Sequence, residues 1–398
     1  MLREYYKTFV ASIGDALHVT AHSHHPWPDV TRAAHLQYWE DSARLTNRKW
    51  QEKVFGEAVP EAQGHVARHL GLADPRLVAF APNTHEFVAR LYSCLDWSRR
   101  PSVLTTTGEF HSFGRQTRRL EETGRLEVTR VPVEPYATFP ERFRQALGAP
   151  RDLVFLSQVF FDSSFVVERL DEVLADVPPE TIVAVDGYHA FMAIPVHLGA
   201  LGRRIFYTAG GYKYVQAGEG ACFLSIPEAC DLRPLYTGWF SDMFGAGDPF
   251  PSPAGGQLSG AQGDAVGYGA EAMRFWGSTF DASGLYRFNA VMRWLDELGV
   301  TAREIHAHVG ALERQFLDGL AAVPLARLPV AALTPPDGAP RGNFLTFDLD
   351  AAEDVERRLA THRILVDRRG RRLRFGFGVY HDAAFVDVLL ARLRVALA

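Results

Sequence analysis

Two stretches decide how this chain is read: Ile182-Val183-Ala184-Val185-Asp186-Gly187-Tyr188-His189, and Arg204-Ile205-Phe206-Tyr207-Thr208-Ala209-Gly210-Gly211-Tyr212-Lys213-Tyr214. Each carries a short apolar run of strand length and ends on residues with chemistry to offer. Lys213 follows Asp186 by 27 residues, so a carboxylate closes one strand and a lysine stands just past the next.

Working outward, β-type runs recur at Leu77–Phe80, Ser102–Thr105, Leu126–Thr129, Leu153–Leu156, Ile182–Val185, Ile205–Tyr207 and Ala221–Leu224, with helical segments between most of them. Several are apolar throughout, as strands covered on both faces are. The alternation predicts an α/β fold, a mainly parallel seven-stranded sheet with helices on both sides. Upstream, His18 to Pro28 is extended and ends in a Pro-Trp-Pro turn, and residues 29–69 read as helix with a break near Val59-Pro60. Downstream, the Gly- and Pro-rich run Phe244–Gly263 reads as a loop. Helices are expected over Asp264–Phe275, Asp281–Leu298 and Ala302–Ala321, and a compact α+β tail follows. The expected organisation is an N-terminal segment (1–45) that contributes to the active site and the small domain, a large domain (46–280) and a smaller C-terminal α+β domain (281–398).

The Asp186–Lys213 arrangement is one that pyridoxal phosphate (PLP) chemistry needs. The lysine forms a Schiff base with the cofactor aldehyde, and the aspartate keeps the pyridine nitrogen protonated so that the ring draws electrons. Burial lowers a lysine's pKa and prepares it for that attack. Asp186 stands at the carboxyl end of its strand, where ligands bind in open α/β sheets. Pro82-Asn83-Thr84-His85 follows the first sheet strand and opens a helix. There, Asn83 and Thr84 are placed to hold a phosphate at the helix N-terminus, to cap the helix, or both.

Composition excludes several classes. A net charge of −5 gives no broad basic field for nucleic acid. No apolar run is long enough to span a membrane, and Met1-Leu2-Arg3-Glu4-Tyr5-Tyr6 lacks the apolar core of a signal peptide. The three cysteines, Cys94, Cys222 and Cys230, form no CxxC pair, which points to a reducing, cytoplasmic setting.

Several motifs in register resemble the fold-type-I PLP enzymes of the class V aminotransferase group, and kynureninase within it. They are Asp186-x-x-His189, Tyr212-Lys213-Tyr214 with the following glycine-rich turn, Gly238-Trp239-Phe240, Arg274-Phe275, Arg341-Gly342 and Leu373-Arg374-Phe375-Gly376-Phe377. The resemblance implies that Phe110 stacks on the cofactor ring, and that His189 lies beside its phenolic oxygen. It also implies that Gln158 and Trp239 lie near the cofactor and that Tyr212 donates to its phosphate. Thr279, with Ser278, would reach the same phosphate across a homodimer interface. It makes Arg369 the first candidate to hold a substrate carboxylate, Arg374 the second, and Arg341 a supporting residue, because the planar guanidinium binds carboxylates bidentately.

The chain departs from kynureninases at their Asn-Ser-Leu-Gly motif. That place reads Ala21-His22-Ser23-His24-His25-Pro26-Trp27, a more polar and more aromatic substrate side in which His22 and His24 are expected to contact substrate. A metal bound by His22, His24 and His25 is the weaker reading, since no carboxylate or cysteine completes a shell. The expected activity is hydrolytic cleavage of the Cβ–Cγ bond of a kynurenine-like amino acid. A class V aminotransferase or a β-lyase acting on another amino acid is the alternative. A standard cysteine desulfurase is disfavoured, because no cysteine follows Cys230 on a late loop.

Overall fold

The computed structural model describes residues 1–241 and 267–398. The loop expected over 244–263 lies outside the described residues.

Twelve strands are described: β1 (Leu17–His18), β2 (Val78–Ala81), β3 (Ser102–Thr106), β4 (Glu127–Val131), β5 (Leu153–Ser157), β6 (Ile182–Asp186), β7 (Phe206–Gly210), β8 (Cys222–Ser225), β9 (Leu345–Asp348), β10 (Ile364–Leu365), β11 (Asp367–Arg369) and β12 (Arg372–Phe375). Seven of them form the central sheet in the order β2-β8-β7-β6-β5-β3-β4. The ladders from β4 through β3, β5 and β6 to β7 are parallel, and β8 runs antiparallel to both β7 and β2. The mainly parallel seven-stranded sheet expected from the alternation is therefore present. Its central strands β5, β6, β7 and β8 are buried at every position, which is why their sequences are apolar rather than alternating. Parallel direction brings their carboxyl ends to one edge of the sheet, and Ser157, Asp186 and Gly210 end there together.

The tail holds a second, three-stranded antiparallel sheet in the order β11-β12-β9. Two apolar cores result. The first surrounds the central sheet and takes in the helix Ser283–Glu297 through Leu285, Phe288 and Val291. The second joins Val309, Phe316, Phe347, Phe375 and Leu389 of the tail to Leu17 and Val19 of the N-terminal segment. That segment is held to the tail by backbone: β1 pairs in parallel with β10, and Thr20 bridges to Gly376. The pairing carries His22 and its neighbours to the cavity described below.

Two local expectations are corrected. The helical stretch 29–69 breaks after Leu45, where Thr46 takes φ 53°, and not at Pro60. Pro60 lies within a continuous helical run, one residue past the point where the π-helix gives way to the α-helix Val59–Leu70, so the break expected there is a change of helix type and not an end. Between them, Trp50–Ala58 forms a π-helix. The helix expected over Asp264–Phe275 is only a short 3-10 segment, Glu271–Phe275, with residues 264–266 outside the described part.

Candidate active site

Lys213 lies in a buried turn just past β7, and its Nζ is 2.7 Å from His189 Nε2. Its ammonium position is 5.2 Å from the Tyr212 ring centroid and 5.6 Å from those of Phe110 and Tyr188. Burial, with the Arg374 cation next in weight, pulls its pKa from 10.5 down to about 7. His189 is buried, and burial with the neighbouring Lys213 holds it well below its ordinary value, so its ring is neutral. A neutral ring offers Nε2 as acceptor to the lysine, which leaves Nδ1 as the N–H, and Nδ1 is buried without a partner.

Asp186 closes β6 and is buried. One oxygen, Oδ1, accepts from the backbone N–H of Tyr188 at 2.8 Å. Burial pushes its pKa up to about 6, and a protonated nitrogen placed beside it would restore the carboxylate. Tyr188 is itself seated by Gly210, where an added Cβ would collide with the Tyr188 hydroxyl.

Two helix N-termini face the same cavity. The helix Thr84–Ser93 begins there, with Asn83 as its cap, accepting from the Glu86 N–H at 3.1 Å. The helix His111–Glu122 brings Ser112, and Phe110 precedes it. Asn83, Thr84, Phe110, Asp186, His189, Tyr212 and Lys213 all line this one cavity. Two helix starts, a phenylalanine ring, a buried carboxylate and a deprotonation-prone lysine around one cavity fit PLP, and the buried, unpartnered Nδ1 of His189 leaves a donor free beside them.

Other expected residues lie elsewhere. Gln158 does not line this cavity: it follows Ser157, and side chains alternate across a strand, so Ser157 faces the site. Gln158 instead accepts from the Tyr207 hydroxyl at 2.7 Å. Trp239 is 47% exposed, packs on Phe240 at 4.3 Å, and stands outside the cavity. Thr279 and Ser278 line a separate cleft with Arg90 and Tyr236.

Of the two arginines proposed for a carboxylate, Arg374 is the buried one. It pairs with Asp367 and donates to the Phe161 carbonyl, while its Nε is unpartnered. Arg369 is 42% exposed and reaches the other Asp367 oxygen at 3.2 Å. Arg341 donates to the Pro335 carbonyl at 2.6 Å, a structural contact.

The three histidines of the N-terminal segment go three ways. His22 is fully buried and stacked on Phe344, with ring centroids 4.6 Å apart. His24, 69% exposed, stacks on Tyr212 at 4.9 Å. His25 packs edge-on against Tyr380. Their rings do not converge on a common point, and among the described residues no His/Cys/Asp/Glu group is arranged to hold a metal.

Several residues at the cavity escaped the sequence reading, Ser112 and Ser157 among them. Tyr188 and Phe161 line the cavity, and Glu109 lies beneath it, accepting from Thr106 Oγ1 at 2.7 Å and Ser157 Oγ at 2.5 Å. Burial pushes the Glu109 carboxyl up to about 8. Strand alternation from Asp186 could have found Ser157, since the two are register partners; no local signal marks Glu109.

The model of the aminotransferase class-V family matches residues 19–380. Among solved structures, the chain is similar to the cystine C-S lyase C-DES in complex with its product cysteine persulfide: 19% identity, TM-score 0.78, covering 96% of this chain and 98% of that one. It is also similar to an apo cysteine desulfurase from Thermococcus onnurineus NA1 (17% identity, TM-score 0.77, covering 100% and 97%) and to the cysteine desulfurase CsdA from Escherichia coli (16%, 0.77, 99% and 97%). No curated protein matches the chain.

Proposed function

The chain belongs to the class-V aminotransferase family, and on that premise we propose that it is a PLP-dependent lyase, removing a leaving group from the β-carbon of an amino acid. Its cofactor, as the family's, is pyridoxal phosphate. The observation that carries the reading is Lys213, buried, held to a pKa of about 7 and bonded to a neutral histidine, opposite a buried aspartate.

PLP bound in this cavity supplies an aldehyde for amines and a ring that withdraws electrons from the substrate's Cα. The rest is done by the chain. Asp186 would accept from the ring nitrogen, and Asn83, Thr84 and Ser112, at two helix starts lining the cavity, would hold the phosphate. With PLP in place, Lys213 would hold and return the substrate's Cα proton at Nζ, and His189 Nε2, 2.7 Å from that nitrogen, would fix its direction. Arg374 receives the substrate carboxylate, and Phe110, Phe161 and Tyr188 exclude water.

Elimination is preferred to a sulfur-relay route because none of the three cysteines lines the cavity. Cys222 is buried, 3.3 Å from Thr84 Oγ1, and burial pushes its pKa to about 12, which suppresses the thiolate. Kynureninase-like hydrolysis is the second reading. It is favoured by the edge-on wall of Phe110 and Phe161, centroids 5.3 Å apart, which suits an aromatic side chain. A homodimer is part of the proposal. It rests on the family resemblance, which would bring Thr279 and Ser278, lining a cleft of their own away from Lys213, to the partner's phosphate.

The test uses purified protein loaded with PLP, with β-chloroalanine, cystine and kynurenine offered separately. Pyruvate from the first two supports the lyase. Anthranilate and alanine from kynurenine, with no pyruvate from the others, overturns it in favour of hydrolysis.

A further inference from the structure

His22 is the buried polar group that the mechanism above leaves without work. Its ring is wholly buried, and neither Nδ1 nor Nε2 has a hydrogen-bond partner. A buried polar group without a partner is unfavourable, so a ring held this way is suited to receive a neighbouring group that moves. The chain has made room for the ring: an added Cβ at Gly376 would collide with Nδ1. Phe344 supports it from one face, and the same phenylalanine lies 5.4 Å from the His189 ring and 5.7 Å from the Arg374 guanidinium. His22 therefore belongs to the substrate end of the site, not to a distant core.

Its Nε2 is aimed at Asp367 Oδ2, 3.8 Å away. That is about 1 Å too long for a hydrogen bond. The same oxygen is already taken by Arg374, its register partner across β11 and β12. Asp367 thus stands between one buried cation it holds and one buried imidazole it almost reaches. A substrate carboxylate arriving at Arg374 competes for the position that Asp367 occupies.

Resting on the reading of Arg374 given above, we infer that Asp367 is a placeholder for the substrate's α-carboxylate, and that His22 is the positioning residue that receives Asp367 when substrate displaces it. In the free protein Asp367 neutralises Arg374. When the α-carboxylate takes Arg374, Asp367 shifts by about 1 Å and accepts the N–H of His22 Nε2, which replaces the donor lost at Oδ2 while Oδ1 stays with Arg369. No proton changes hands and no bond forms or breaks apart from these hydrogen bonds. The device selects amines that carry an α-carboxylate.

The test compares glycine with methylamine, which has the amine but no carboxylate. Their dissociation constants are read from the visible absorbance of the holoprotein, without turnover. The unsubstituted protein is expected to prefer glycine. His22→Phe keeps the packing on Phe344 but has no donor; glycine binding is expected to weaken roughly tenfold or more while methylamine binding is unchanged. His22→Gln, which keeps a donor near Nε2, recovers most of the loss. An unchanged preference for glycine in His22→Phe overturns the inference. Should His22→Phe fail to take up cofactor, Asp367→Asn decides: with the charged competitor gone, glycine is expected to bind several-fold tighter, and equal or weaker binding overturns the inference. A holoprotein that never distinguishes glycine from methylamine contradicts the role of Arg374 itself, a separate failure from that of His22.

Discussion

The neutrality of Lys213 is open to direct measurement in the apoprotein. The gap between its ordinary 10.5 and about 7 corresponds to about 5 kcal/mol against the ammonium form. At pH 7 about half of Lys213 is then a free amine, against about 0.03% for an ordinary lysine. Only the free amine attacks an aldehyde, so the rate of PLP uptake by apoprotein follows that fraction. Below about pH 7 the rate should rise tenfold per pH unit; above about pH 8 it should level off. Arg374→Leu removes the largest charge acting on Lys213 but leaves its burial, which is the greater cause. The bend is therefore expected to move to higher pH and still stay below that of an exposed lysine. A rate that climbs without a bend through about pH 9 in the unsubstituted protein would refute the argument. So would a bend that does not move in Arg374→Leu.

Other consequences follow from burial and from the second copy. Burial lowers His18 and His69 to about 4 and His25 to about 3, and His22, His189 and His381 go the same way. An unfolded chain binds these protons below about pH 6.5 and the folded one does not, so stability is full above that pH and is lost as pH falls toward about 4. His18 alone contributes up to about 3 kcal/mol of that loss, while Glu109, Asp186 and Glu313, with raised pKa values, pull the other way in smaller number. The melting temperature should therefore drop between about pH 6.5 and 5, and a flat profile there counts against neutral buried histidines. If Thr279 serves the partner's phosphate, Lys213→Ala and Thr279→Glu proteins, each inactive, should regain on the order of a quarter of full activity when mixed and allowed to exchange subunits. No recovery despite proven exchange sinks the shared site.

Much of this fold was legible because its signal is local. Apolar runs such as Val183-Ala184-Val185 declare a doubly covered strand, and the direction of parallel strands then forces Asp186 and Lys213 to one edge. Part of the cavity's lining was readable for the same reason, since Asn83, Thr84, Phe110 and Asp186 sit at strand ends or helix starts. Ser157 and not Gln158 lines the cavity, because a strand's two faces alternate and a motif match does not say which face is inward. The break after Leu45 was missed because Thr46 has no strong turn signature, whereas Pro60 has one and is harmless where it lies. The substrate side was least legible. His22 reaches Phe344 and Asp367 only through the pairing of β1 with β10, a contact between chain segments more than 300 residues apart that no local pattern encodes.

Electrostatics ties the two sides together. Around Lys213 the buried histidines are neutral, so the charges that act on it are those of Arg374, Arg369, Asp186 and Asp367. In the free protein Asp367 offsets part of the arginine field, and Lys213 is still held near neutrality by burial. When a substrate carboxylate takes Arg374 and Asp367 moves only as far as His22, the neighbourhood has gained a negative charge and lost none. A nearby anion favours the ammonium form, so the affinity of Lys213 for a proton rises. The lysine would thus be a weak base while it must remain a free amine, and a stronger one once substrate is bound and the Cα proton is to be taken. In this account the neutral imidazole of His22 is essential. A protonated His22 would cancel the added negative charge, and an apolar residue there would leave the Asp367 oxygen released by Arg374 without a donor of its own, in competition with the substrate for that arginine.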